Sequence, residues 1–291
     1  MRFQFIEDHS REFSVVKMCT LLEVSQSGYY KWKKRKPSHQ ELRSKEIKER
    51  ISEIYKDSEN IYGSPKITKL LEKEGYKITE RTVGQYMQQL GLRSCVSRKF
   101  KVNTTDSNHD YPVAPNKLNQ NFNVSAPNKV WVTDITYIPC RGGRLYLATV
   151  LDLCTREIVG WRLYNRMGTE LVMDALDDAY QDRKPKKNLI HHSDRGTQYA
   201  SKDYRKKLQE YGMEASMSRT GNCYDNACAE SFFSLLKKEL IRGGKFRTRV
   251  EASTEIYRYI EFFYNRKRIH GSIGYMSPVE YAQQFYLNPA A

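Results

Sequence analysis

Residues 130–139 read VWVTDITYIP, where apolar and β-branched residues alternate in the period-two pattern of a strand and an aspartate interrupts the middle. A carboxylate in such a strand is costly to bury without a cation or hydrogen-bond donors beside it. Asp134 is therefore either a solvated or capping residue, or one member of a set of acidic groups gathered by the fold.

Outward from this stretch, residues 144–155 (RLYLATVLDLCT) and 157–165 (EIVGWRLYN) continue as β-type runs, with Gly142-Gly143 as the turn before them. A helical segment at 169–184 leads to a short strand at 188–194, NLIHHSD. Another at 201–212 leads to a fifth strand at 214–218, EASMS. A glycine-containing loop, RTGNCYDNA, precedes the helix AESFFSLLKKEL at 229–240. Three antiparallel strands followed by strands alternating with helices predict a mixed α/β sheet.

On the N-terminal side the pattern is helical. Residues 12–36 (EFSVVKMCTLLEVSQSGYYKWKKRK) read as two short helices around a break, compatible with a helix-turn-helix or a plain helical hairpin. Within 41–100, a helix is expected from roughly Arg43 to Asp57. Pro65 then suits a first helical position, Gly75 a C-terminal cap and Thr79 an N-cap. Val83, Tyr86, Met87 and Leu90 share one apolar face, which completes a three-helix unit that docks on DNA or on protein. The basic tail SRKFK favours DNA. Residues 101–129, rich in Asn and Pro, read as an extended linker between these modules and a core at 130–240. Residues 241–291 form a C-terminal helical basic segment.

The chain has 291 residues, a formal net charge of +15 and a pI near 9.4. Such a basic excess favours acidic partners, nucleic acid above all. The six cysteines form no CxxC pair, which argues against a zinc ribbon and for free thiols in a reducing compartment. No apolar run approaches a membrane span, and MRFQFIEDHS is too charged for a signal peptide, so the cytoplasm is expected.

Two further acids stand where sheet and helix are expected to meet. Asp194 ends the strand LIHHSD, at the kind of terminus where open α/β sheets place ligands, and Glu230 lies near the start of its helix. Converging carboxylates are what two-metal phosphoryl transfer requires, and hard cations such as magnesium need no histidine or thiol. Lys237, seven residues beyond Glu230, falls on the same helical face two turns later. His191 and His192 tempt a zinc reading, but adjacent strand residues point to opposite faces. Asp225 fits a loop-capping role and Asp152 a structural one, while Gly196 and Gln198 are expected to shape the loop after Asp194.

WVTDITYI, LDLCTREIVGW, HHSDRGTQYAS and SRTGNCYDNACAESFFSLLKKEL resemble the catalytic core of DDE transposases and retroviral integrases. In particular the chain is similar to the downstream-frame (orfB-type) transposases of the bacterial insertion-sequence-three family. CTLLEVSQSGYYKWKKR, YGSPKITKLLEKEGYKITERTVGQYMQQLGL and YNRKRIHGSIGYMSPVEY extend the likeness over almost the whole chain. The resemblance implies a ribonuclease-H-like integrase catalytic core preceded by helix-turn-helix modules. It also implies a triad of Asp134, Asp194 and Glu230 holding two Mg²⁺ or Mn²⁺ ions. By the same likeness Lys237 occupies the basic position that contacts the transposon end.

The implied activity is cleavage and transfer of DNA strands at terminal inverted repeats, with target DNA as second partner and a homo-oligomer in the synaptic complex. In that family the chain usually works as a frameshift fusion with an upstream-frame product; no sustained heptads appear here, so that part is expected to be absent. Basic residues expected at DNA are Lys33, Lys34 and Arg35, Lys66 and Arg81, and Arg266, Lys267 and Arg268. A nuclease of the same fold and a non-catalytic DNA-binding repressor are the alternatives.

Overall fold

A computed structural model describes residues 1–95, 112–141, 143–219, 222–242 and 244–287. The tail SRKFK, most of the first half of the linker and Gly142 of the turn lie outside the described residues. The chain divides into two compact units, Met1–Glu53 and Ile54–Ala291.

The first unit holds helices α1 (Arg2–Asp8), α2 (Val15–Leu21) and α3 (Gln26–Lys33) and most of α4 (His39–Asp57). Ile6, Met18, Cys19 and Tyr29 form its small core. Ser25 caps α3 by accepting from the Gly28 amide, which starts α3 after the break that follows α2. Tyr29 donates to Glu7 over 2.5 Å, and Lys33 pairs with the same carboxylate at 3.0 Å.

The second unit opens with the end of α4, then α5 (Ser64–Lys73) and α6 (Glu80–Gln89). Gly75 takes φ +90 just past α5, a left-handed conformation that costs glycine nothing, and Thr79 accepts from the Thr82 amide to start α6. Ile67, Leu71, Val83 and Met87 are buried, whereas Leu90 stays partly exposed. The unit boundary falls inside α4, so that helix is shared rather than belonging to α5 and α6 alone.

The sheet has strands β1 (Val130–Cys140), β2 (Gly143–Asp152), β3 (Ile158–Tyr164), β4 (Ile190–Ser193) and β5 (Glu214–Met217), in the order β3-β2-β1-β4-β5. β1, β2 and β3 are antiparallel neighbours, while β4 joins β1, and β5 joins β4, in parallel. This is the ribonuclease-H-like arrangement. Helix α7 (Thr169–Arg183) lies on one face, where Trp131, Ile135, Val150 and Val159 meet Leu171, Ala175 and Ala179. The approach is closest at Gly160, where a Cβ would stand 2.3 Å from the Ala175 carbonyl oxygen. A one-turn helix α8 (Thr197–Ala200) and α9 (Lys202–Glu210) bridge β4 to β5.

Past the loop come α10 (Ala227–Leu236), a π-helical turn at Lys237–Ile241, α11 (Arg249–Tyr257) with a second π segment at Arg258–Tyr264, and α12 (Pro278–Leu287). Asn265 ties this segment to the core by accepting from the Ile158 amide and donating to its carbonyl, both at 3.0 Å. Among the described residues, no helix is long and apolar enough to cross a membrane.

Candidate active site

The β1–β4 ladder pairs Val130 with Ile190, Trp131 with His191 and Val132 with His192. Continued by two residues, that register sets Asp134 level with Asp194 on neighbouring strands, which lie ~4.8 Å apart, and on the same side of the sheet. Alternation turns this side away from Trp131 and Ile135, hence away from α7. Helix α10 packs against β1, with Glu230 in its first turn, and Asn226 just before it donates to the Thr133 carbonyl at 3.1 Å. The three acids thus come from a strand middle, a strand end and a helix start.

Their electrostatics are coupled. Burial lifts the Asp134 carboxyl well above the ordinary carboxylate range; Asp194 and, more weakly, Glu230 push the same way, while the Ile135 amide and Lys237 pull it down. Glu230 is raised by partial burial and then by Asp194. Lys237 is lowered by burial, against the opposing pull of Asp134. Its ammonium lies 5.2 Å from the Tyr137 ring centroid. Asp134 and Asp194 are half-buried and Glu230 is exposed. The Gly196 amide donates to Asp194 Oδ1 at 2.9 Å, and a Cβ at Gly196 would stand 3.1 Å from that oxygen.

Oxygen donors of this kind suit a hard divalent cation. Among the described residues, however, no three His, Cys, Asp or Glu side chains are drawn together closely enough to hold a metal ion. The acids share a field here rather than a closed ligand shell.

The neighbouring polar groups have structural partners. His191 meets the Tyr204 hydroxyl at 3.2 Å, while His192 lies between Ser216 (2.8 Å) and Ser218 (3.2 Å), so the two rings face opposite ways. Burial lowers them to about 3 and about 4. Asp225 is buried under hydrogen bonds from Arg219, Asn116 and Gln120, which hold it well below the usual carboxylate range. Asp152 accepts from the amides of Asn128, Cys154 and Thr155 and from the Trp131 indole.

The basic residues separate into three groups. Lys34, Arg81, Arg266 and Lys267 are exposed, while Lys33 and Arg35 are exposed but paired with Glu7 and Glu41. Lys66 is half-buried, 4.6 Å over the Tyr62 ring, and burial lowers it to about 7. Arg268 corrects the expectation of a DNA contact. It is 5% exposed and gives both Nε and Nη2 to Glu239, at 2.8 and 2.6 Å, while Tyr259 donates to the same carboxylate at 2.7 Å. Sequence reasoning passed over Glu239 and Tyr259, whose charge and aromaticity look like surface and helix-anchor residues in a basic run.

The family model described as "Integrase core domain" matches residues 124–223, a second of the same description matches 230–285, and "HTH-like domain" matches 42–100. The chain is 40% identical over 284 residues to "Transposase InsF for insertion sequence IS3A" of Escherichia coli (strain K12), covering 97% of this chain and 98% of that one. The chain belongs to the insertion-sequence-three family of transposases. It is also 42% identical over 269 residues to the "Insertion element IS600 uncharacterized 31 kDa protein" of Shigella sonnei, covering 92% and 98% of the two chains. A chain of the simian T-cell lymphotropic virus intasome matches with a TM-score of 0.47 and 11% identity, over 80% of this chain and 74% of that one.

Proposed function

We propose that this transposase cleaves DNA at the terminal inverted repeats of its element and transfers the resulting strand ends, with Asp134, Asp194 and Glu230 as its catalytic carboxylates. The observation that supports this reading is the β1–β4 register, which continued by two residues sets Asp134 level with Asp194, together with the influence of Asp194 and Glu230 on the Asp134 carboxyl. The three would hold Mg²⁺ or Mn²⁺, two ions per site. Ions held by these residues would supply Lewis-acid activation of the attacking oxygen and stabilisation of the leaving one. The chain's own contribution is placement: sheet hydrogen bonds fix Asp134, the Gly196 amide orients Asp194, and Lys237 sets a cation beside them for a DNA phosphate. Exposed Lys34, Arg81, Arg266 and Lys267, with Lys33 and Arg35, would carry phosphate contacts of the helix-turn-helix modules and the C-terminal segment. Ends and target would meet in a homo-oligomer, with an upstream-frame product as a further partner.

The test is strand transfer with a short duplex carrying an element end, in Mg²⁺ or Mn²⁺. Asp134→Asn, Asp194→Asn and Glu230→Gln are each expected to abolish joining while leaving end-binding measurable. Joined product from any of the three at the wild-type rate would refute the assignment. Cleavage by the wild type with no joined product would instead favour a nuclease.

A further inference from the structure

A surface recess of about 280 Å³, whose lining includes none of Asp134, Asp194 and Glu230, lies between residues 122–125, the β2–β3 turn and residues 272–281. Arg156 lines it, together with Asn123, Ser125, Ser272 and Tyr281. Asn123, Ser125 and Ser272 are exposed, so the recess opens to solvent.

Arg156 is held in an unusual way. Its φ is +63, a left-handed conformation that favours Gly or Asn and costs other residues of order 1 kcal/mol. The turn that imposes it is closed by the Arg156 amide donating to the Asp152 carbonyl at 2.8 Å. Its guanidinium gives Nη1 to the Cys228 thiol at 2.8 Å and Nη2 to the Phe122 carbonyl at 3.4 Å, and Nε is buried with no partner. Sulfur is a weak acceptor and 3.4 Å is long, so the strongest donors in the chain are spent on poor acceptors. Among the described residues no carboxylate lies within 4 Å of Arg156, in contrast to Arg268, which Glu239 neutralises. Burial and then Arg268, Lys66 and Arg156 lower His270 to about 2, so that ring stays neutral.

A half-buried guanidinium with no carboxylate partner among the described residues, lining a recess that opens to solvent, is complementary to an oxyanion. The turn carrying exposed Arg266 and Lys267 leads directly into Ser272 at its rim. We propose that this recess is a phosphate subsite. Arg156 supplies the charge and Asn123, Ser125, Ser272 and Tyr281 the hydrogen bonds, for a phosphate group either in the backbone of bound DNA or free in solution. The site needs no divalent cation, so it stands or falls separately from the carboxylate assignment.

Full-length wild type, Arg156→Gln and Ser272→Glu are compared in EDTA. Ser272→Glu puts a carboxylate on an exposed rim position and keeps the test open should Arg156→Gln not fold. One readout is the melting temperature in inorganic phosphate against chloride at equal ionic strength. At a phosphate concentration near ten times Kd, the wild type should gain about 3 °C and the variants should lose that gain. The other is the salt dependence of binding to a plain DNA duplex, whose log–log slope should fall by about 0.9 for one lost phosphate contact. A smaller slope assigns the site to DNA backbone; loss of the phosphate response alone assigns it to the free anion. If both variants keep the wild-type slope and phosphate response, the subsite does not exist.

Discussion

Replacing Arg268 by Gln separates two roles that a basic run allows. Arg268 and Glu239 have side chains only 6% and 7% exposed, joined by three charge-assisted contacts of 2.6, 2.8 and 3.1 Å. Removing one partner of such a pair leaves the other charge buried and uncompensated, at a cost of about 3–5 kcal/mol. Each kcal/mol moves the melting temperature of a domain this size by roughly 2–4 °C, so the variant should melt about 6–20 °C lower. Lys267→Gln, one residue away and exposed, should stay within about 0.5 kcal/mol of wild type. The DNA arm runs the other way: measured below both melting points, Lys267→Gln should reduce the salt slope by about 0.9, and Arg268→Gln should leave it unchanged. Replacing both partners, Arg268→Met with Glu239→Met, should recover much of the lost stability, because a well-packed apolar pair often does as well as a buried ion pair. Arg268→Gln melting within about 2 °C of wild type while flattening the salt slope would refute the buried clamp and restore Arg268 as a DNA contact.

Asp134→Asn should raise the melting temperature of the metal-free protein at pH 7, because burial and Asp194 oppose ionisation of this carboxyl in the folded state. The cost it relieves sets in as pH rises past the unfolded carboxylate's value of about 3.9, so the gain should vanish near pH 4; a variant that melts lower at pH 7 contradicts this. His191 and His192, lowered to about 3 and about 4, stay neutral when folded but bind protons when unfolded below about 6.5. Stability should therefore fall on acidification from about pH 6.5 to 4, by up to about 1.4 kcal/mol per pH unit for each ring, and melts of His191→Asn across that range should show a shallower slope; an unchanged slope rules the ring out. Gly160→Ala, placing a methyl 2.3 Å from the Ala175 carbonyl oxygen, should cost about 3 kcal/mol or more in denaturant unfolding, and a neutral result would mean that α7 can shift off β3.

The strands were legible because period two and turn chemistry agree along them. VWVTDITYIP predicts a strand over 130–139 and β1 spans Val130–Cys140, with β2 to β5 likewise at the predicted runs. Helix boundaries were less so: α4 begins at His39 rather than near Arg43, since Ser38 and Glu41 reciprocally bond each other's amides, an N-terminal cap earlier than the apolar period suggests. The two π segments left no trace in composition. After Lys237 the bonding changes to five residues apart, as in Arg242 amide to Lys237 carbonyl at 2.9 Å. The seven-residue spacing from Glu230 to Lys237 therefore ends where α-helical register ends, while Glu239 falls on the buried side. Arg268 was illegible for a related reason: Arg266, Lys267 and Arg268 are chemically alike in a sequence, and only the carboxylate of Glu239, far away in the chain, sets one of them apart.

The contrast among carboxylates in the core argues most directly for where chemistry belongs. Asp152 is buried, but three backbone amides and an indole satisfy it. Asp225 is buried, but a guanidinium and two side-chain amides more than offset the loss of water. Asp134 accepts from the amide of the next residue, and Asp194 and Glu230 act on it besides. Asp134 is held in the β1–β2 ladder opposite Thr149, and the Gly196 amide orients Asp194 just past the end of β4. A fold that surrounds two buried acids with donors and holds Asp134 against Asp194 and Glu230 keeps repulsion at this site, at a cost to stability that an added positive charge would reduce. Under the proposed function that cost has a use: bound divalent cations would offset the repulsion and draw the acids, which share a field without a closed shell, together.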